Sequence, residues 1–148
     1  MKTLKILLPA VFVLSIVLLA AAQIFQIVDY RERTGAFLAG IIRGDIDKSC
    51  EEFIGNSSVS VYPERVDYYT GQIESSQSVY GDFLDYEFIR EEGFGDSAVK
   101  LTYVIKAQQI PIIARFYFYR PANDWKLVNI TFSNSLDFWP ASSQTSYP

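Results

Sequence analysis

Histidine is absent from all 148 residues, and Cys50 is the only thiol. The commonest general base and the commonest zinc ligand are therefore missing, and no disulfide or cysteine–metal cluster can form within the chain. Acid–base chemistry would have to come from carboxylates and tyrosines. Asp67 and Glu74, close to Tyr68 and Tyr69, are the grouping that fits it. A carboxylate buried beside tyrosines has a raised pKa and can abstract a proton. The commoner use of such acids is to solvate the exposed face of a helix. Cys50 shares helical spacing with Ile46, Phe53 and Ile54 and reads as a small buried apolar side chain. Asp45, Asp47, Glu51 and Glu52 form an acidic cluster whose spacing does not match a calcium loop, and the first two suit the positive end of a helix dipole. No metal site and no cofactor is expected.

The start of the chain bears on location. Lys2 and Lys5 precede an uninterrupted apolar run from Ile6 to Ala22, with no acidic residue before Asp29. Ala20 and Ala22 fit a small-x-small cleavage site, which makes residues 1–22 a signal peptide cut before Gln23. Continuing through Ile24, Phe25, Ile27 and Val28 reaches the roughly 20 residues of a retained membrane anchor. Either reading leaves the lysines inside and the domain outside, periplasmic or extracellular, or anchored in the cytoplasmic membrane. Two of the 13 basic residues lie in this leader, leaving 11 against 17 acidic ones. An acidic domain with no basic stripe is a poor candidate for nucleic acid.

About 125 residues follow Ala22, enough for one domain over 23–136, with 137–148 a polar tail. Ile24, Ile27, Val28, Leu38, Ile41 and Ile42 recur at helical spacing. Gly44 closes that helix and Asp45 can cap the next, which buries Ile46, Cys50, Phe53 and Ile54. A third helix starts at Pro63 and carries Val66, Tyr69 and Ile73. From Tyr80 the period becomes two, and short turns join four strands into an antiparallel meander ending in Trp125 to Phe132. Helices first and strands after imply an α+β domain with the helices on one sheet face.

Alternation assigns Leu84, Tyr86, Phe88, Val99, Leu101, Tyr103, Ile105, Ile112, Phe116, Phe118, Trp125 and Leu127 to the covered face. Asp85, Glu87, Glu91, Lys100, Lys106, Arg115 and Lys126 fall on the other, where acids of the first strand would pair with basic residues of the second and set register. Val104, Ile113, Tyr117, Tyr119, Val128, Ile130 and Phe132 also fall there. This patch is large for a monomer, and it reads as a homodimer interface, as a register slip near Pro111, or as a surface covered by the tail with Phe138 and Trp139. Asn56-Ser57-Ser58 and Asn129-Ile130-Thr131 match the glycosylation acceptor pattern, the first in a loop and the second on an inward strand face.

Three helices with Gly44-Asp45 between the first two, then a meander closing on Asp124-Trp125-Lys126-Leu127-Val128-Asn129-Ile130-Thr131-Phe132, resemble the nuclear transport factor 2-like superfamily over Ile24 to Phe132. The resemblance implies a curved four-stranded sheet wrapped round the helices as a cone with a pocket at its open end. On the concave face that pocket would be lined by Tyr69, Tyr86, Arg90, Tyr103, Asn129 and Thr131. The superfamily holds isomerases and dehydratases that use an Asp or His, and many domains without activity, so fold alone chooses no function. With no histidine and no carboxylate on the concave face, no catalytic residue is assigned. The expectation is an exported, non-catalytic binding or accessory domain, dimeric, with an aromatic pocket for a small apolar ligand. The alternatives are a membrane-tethered assembly scaffold and a small isomerase or dehydratase using Asp67 or Glu74.

Overall fold

The computed structural model describes residues 30–55, 57 and 64–135. The leader, the expected domain boundaries at 23 and 136, Asn56, Pro63 and the tail 137–148 lie outside them. Among the described residues no helix is long and apolar enough to cross a membrane, a statement that does not reach the run from Ile6 to Ala22.

Helix α1 covers residues 30–42 of the described chain. It ends because Gly44 adopts φ +87°, a left-handed conformation that costs glycine nothing. Gly44 N–H then donates to the Ile41 carbonyl and Asp45 N–H to the Gly40 carbonyl, pairing the last orphaned acceptors of the helix. Helix α2, Ile46–Ile54, comes at once and buries Ile46, Ser49, Cys50, Phe53 and Ile54. Asp45 does not cap it with its side chain. The carboxylate turns back to Arg43, 3.4 Å away, and the Asp45 carbonyl takes the Ser49 hydroxyl at 2.6 Å. Burial pushes the Cys50 thiol above its ordinary value, which keeps it protonated and supports a packing role. Helix α3, Glu64–Tyr80, buries only Tyr69 and Ile73.

The strands β1, Phe83–Phe94, β2, Ala98–Ala107, β3, Ile112–Tyr119, and β4, Lys126–Ser133, form one antiparallel meander in the order β1-β2-β3-β4. The sheet is open, with β1 and β4 at its edges, so the chain is an α+β domain as its periodicity predicts. One face meets the helices through aromatic rings. Phe37 of α1 stacks on Phe53 of α2 at 4.6 Å between centroids, and Phe116 of β3 presents its edge to both. Tyr30 packs against Phe118 and Trp125, each at 5.3 Å. Rings of this size bury about 150–250 Å² each, so this junction supplies much of the force holding three elements together.

Both edge strands carry β-bulges, at Leu84 and Ile89 in β1 and at Val128 in β4. Each extra residue reverses the facing of the side chains beyond it. Register is regular across β2 and β3 through Ile112 and Ile113, so no slip occurs near Pro111. The expected cross-strand pairs form where alternation holds, with Lys106 Nζ 3.2 Å from Asp85 and also against Glu87.

Gly40 of α1 lies against Ser49 of α2, where an added Cβ would collide with Ser49 Oγ. Gly40→Ala is expected to cost about 1–3 kcal/mol in urea unfolding, as overpacking does. Part of that loss should be recovered in the Gly40→Ala/Ser49→Ala double variant, and strict additivity of the two changes would contradict the contact.

Candidate functional site

The six residues expected to line one pocket divide into two groups at opposite edges of the sheet. The bulge at Leu84 puts Phe83 into the core in place of Leu84, which is exposed, and it leaves Tyr86 facing Ile105 on the helix side. Tyr86 and Tyr103 lie 6.1 Å apart there, with Phe88 5.3 Å from Tyr103. The second bulge, at Ile89, then exchanges the next two residues. Arg90 pairs with Thr102 on the face away from the helices and binds Glu92 at 3.1 Å, so it is not a pocket residue. Glu91, expected outside, pairs with Leu101 and points at α1.

Glu91 is the residue that strict alternation misses. Its carboxylate accepts a hydrogen bond from the Tyr30 hydroxyl at 3.0 Å and from Arg31 Nε at 2.6 Å. Both oxygens are engaged, and Arg31 Nη2 adds an ion pair, so the carboxylate is a clasp between α1 and β1 and no free base. Burial, then the hydrogen bond to Glu91, push the Tyr30 hydroxyl up to about 12. Burial and the neighbouring Tyr86 move Tyr103 in the same direction.

The second group, Tyr69, Asn129 and Thr131, does converge. The bulge at Val128 sets Asn129 opposite Tyr117 and Thr131 opposite Arg115, on the face away from the core instead of the concave face expected for them. Asn129 nevertheless reaches round the free edge of β4, where its Oδ1 accepts from the Tyr69 hydroxyl at 3.1 Å. The same hydroxyl accepts from Ile130 N–H at 3.3 Å, taking up a backbone donor that an edge strand would otherwise leave open. Eleven residues along α3 from Tyr69, the Tyr80 hydroxyl accepts from Asn134 Nδ2 at 3.0 Å. Helix α3 is thus pinned along the edge of β4 at two points.

Two cavities open along that seam. One, of about 440 Å³, is lined by Glu64, Arg65, Tyr68, Tyr69 and residues 129–131. The other, of about 460 Å³, is lined by Tyr68, Gly71, Gln72, Ser75, Ser76 and Phe132. Tyr68 is common to both and 55 % exposed, with its hydroxyl held by Gln72 Nε2 at 2.9 Å. Sequence reasoning gave Tyr68 no binding role. Its place one residue from a buried tyrosine, on a helix with few apolar positions, was the available signal. Asp67 and Glu74 are exposed on α3 and line neither cavity, so the proposed acid does not sit in the groove.

The expected dimer face is altered by the same bulge. Ile130 and Phe132 turn inward, Ile130 into the core and Phe132 against it, so neither lies on the outer sheet face. Ile113 is fully buried and Val104 nearly so within a single chain, which leaves Tyr117 and Val128 as the accessible members of the set. Among the described residues no cluster of three or more acidic or thiol side chains is placed to hold a metal ion. Compared with protein-family models, curated proteins and solved structures, the chain matches none.

The Tyr30 clasp has a pH signature. A tyrosine that ionises later in the fold than in the unfolded chain stabilises the fold fully below 10, and that contribution disappears as pH rises toward 12. Urea unfolding at pH 10 and pH 12 should therefore show a smaller loss of stability in Tyr30→Phe than in the parent protein. An equal loss in the two would show that Tyr30 is not the group responsible.

Proposed function

We propose that this chain is an exported, non-catalytic binding domain of the nuclear transport factor 2-like type, with its ligand site in the groove between α3 and β4. The family reading is supported by helices preceding a four-stranded meander, by the break at Gly44 and Asp45, and by bulged edge strands that add twist to the sheet. Binding is favoured over catalysis because the groove offers an exposed ring, amide and hydroxyl groups and an apolar floor, with Glu64 at its rim as the lone carboxylate of the lining.

The observation that carries the reading is the pair of cavities sharing Tyr68. A flat apolar ligand would stack on Tyr68 and cover Ile130 and Phe132. One or two polar groups on it would meet Asn129, Thr131 or Gln72. Recognition of this kind explains why three of the six expected ligand residues meet here, although the concave face expected to join all six is divided between the two sheet edges.

N-phenyl-1-naphthylamine, a neutral aromatic dye that brightens in apolar surroundings, serves as the test probe. One dye per chain is expected to bind, and Tyr68→Ala should weaken binding about tenfold without changing thermal stability. Absence of saturable binding, or binding indifferent to Tyr68→Ala, would remove the groove as the ligand site.

A further inference from the structure

The end of the domain that holds Tyr30 differs from the opposite end. Tyr30 lies against Glu91, and five residues later Gly35 passes Tyr86, so α1 runs opposite to β1. Tyr30, the first described residue of α1, therefore lies at the end of the domain that holds Phe94. Because the sheet is a meander, the end of β1, the start of β2, the end of β3 and the start of β4 share this pole, as the pairs Phe94–Ala98, Ala98–Tyr119 and Tyr119–Lys126 show.

Aromatic side chains are exposed at this pole, with Phe94 at 57 % and Tyr119 at 46 %. Phe88 and Ile89 are exposed further down the same edge strand. Cations lie against the rings: Lys100 Nζ is 5.8 Å from the centre of Phe94, Arg120 is 4.9 Å from Trp125, and Arg31 is 5.8 Å from Phe88. Lys126 and Arg90 are exposed nearby. The other pole also exposes apolar groups, Val79, Leu84 and Ile110, but there they stand among Asp82, Asp85 and Glu87 with Lys106 held between two acids. At this pole Lys100 and Arg90 also bind Glu92 and Arg31 binds Glu91, while Arg120 and Lys126 lie outside those pairs.

The chain upstream of this pole is apolar from Ile6 to Ala22 and, apart from two glutamines, on to Val28, two residues before Tyr30. Aromatic side chains with adjacent Lys and Arg are what the boundary between lipid headgroups and acyl chains selects, since the ring enters the apolar layer while the cation stays with water and phosphate.

We propose that this pole rests on the surface of a phospholipid bilayer, with the Tyr30 end of α1 beside it. Phe94 and Tyr119 dip below the headgroups, while Arg120 and Lys126 stay at phosphate level. The open backbone edge of β1 remains in the hydrated headgroup layer, where its polar groups keep water as a partner. The groove between α3 and β4 lies on the opposite sheet edge and stays accessible. This inference does not depend on the groove being a ligand site, and lipid alone tests it.

The full chain, with buried Cys50 left in place, is labelled through a single introduced cysteine and reconstituted in vesicles of phosphatidylethanolamine and phosphatidylglycerol containing nitroxide-bearing lipid. Fluorophores at position 94 or 119 are expected to be quenched about threefold or more over fluorophores at position 79 or 110. Equal quenching at both poles, or none at 94 and 119, overturns the proposal. In a second measurement the label sits at position 89, and Phe94→Ser/Tyr119→Ser should reduce its quenching. Unchanged quenching would mean that the tether alone holds the domain near lipid, and it would overturn the aromatic contact.

Discussion

One extra residue in an edge strand reverses the facing of every side chain beyond it, and three such insertions decide what this sheet presents. Without the bulge at Ile89, Glu91 would face solvent and α1 would lose its hydrogen-bonded clasp to β1. Without the bulge at Val128, Ile130 and Phe132 would leave the core and Asn129 and Thr131 would face inward in their place. The central strands β2 and β3 stay regular and carry the aromatic junction with the helices. The edges can therefore be irregular without loss of the core, and the irregularity is what shapes the groove.

The groove arises from how α3 is attached. A helix with a narrow apolar face, burying only Tyr69 and Ile73, is held less by area than by two tyrosine hydroxyls reaching the edge strand. Where helix and strand are pinned at separated points and not packed throughout, space remains between them. That space is lined by the groups that an open strand edge and a polar helix supply: amides, hydroxyls and one exposed ring.

The elements were legible in the sequence because their periods are clear. The buried face of α2, the stop at Gly44, the order of helices and strands, and the Lys106 pairs are all set by spacing. The bulges were not, because the inserted residues are good strand formers and bear no glycine or proline. Each bulge does coincide with an apolar doublet, Phe83-Leu84, Phe88-Ile89 or Leu127-Val128, but so do regular stretches such as Val104-Ile105 and Ile112-Ile113. The doublets in central strands have both neighbours to bury them, and those at an edge put one member out. Arg90, Ile130 and Phe132 were assigned to the wrong face for this reason. Tyr69, Asn129 and Thr131 do lie round one cavity, although the face inferred for two of them is not the one they occupy.

The bulge at Val128 is the feature on which the groove, the core closure and the inward turn of Ile130 and Phe132 all rest. Methyl and aromatic resonances of the protein in the presence of a soluble paramagnetic agent report it directly. Broadening of the Val128 methyls with protection of the Ile130 methyls and the Phe132 ring is the predicted result. Equal broadening of Val128, Ile130 and Phe132, or equal protection of all three, would mean an unbroken alternation through β4, and the groove between α3 and β4 would not exist.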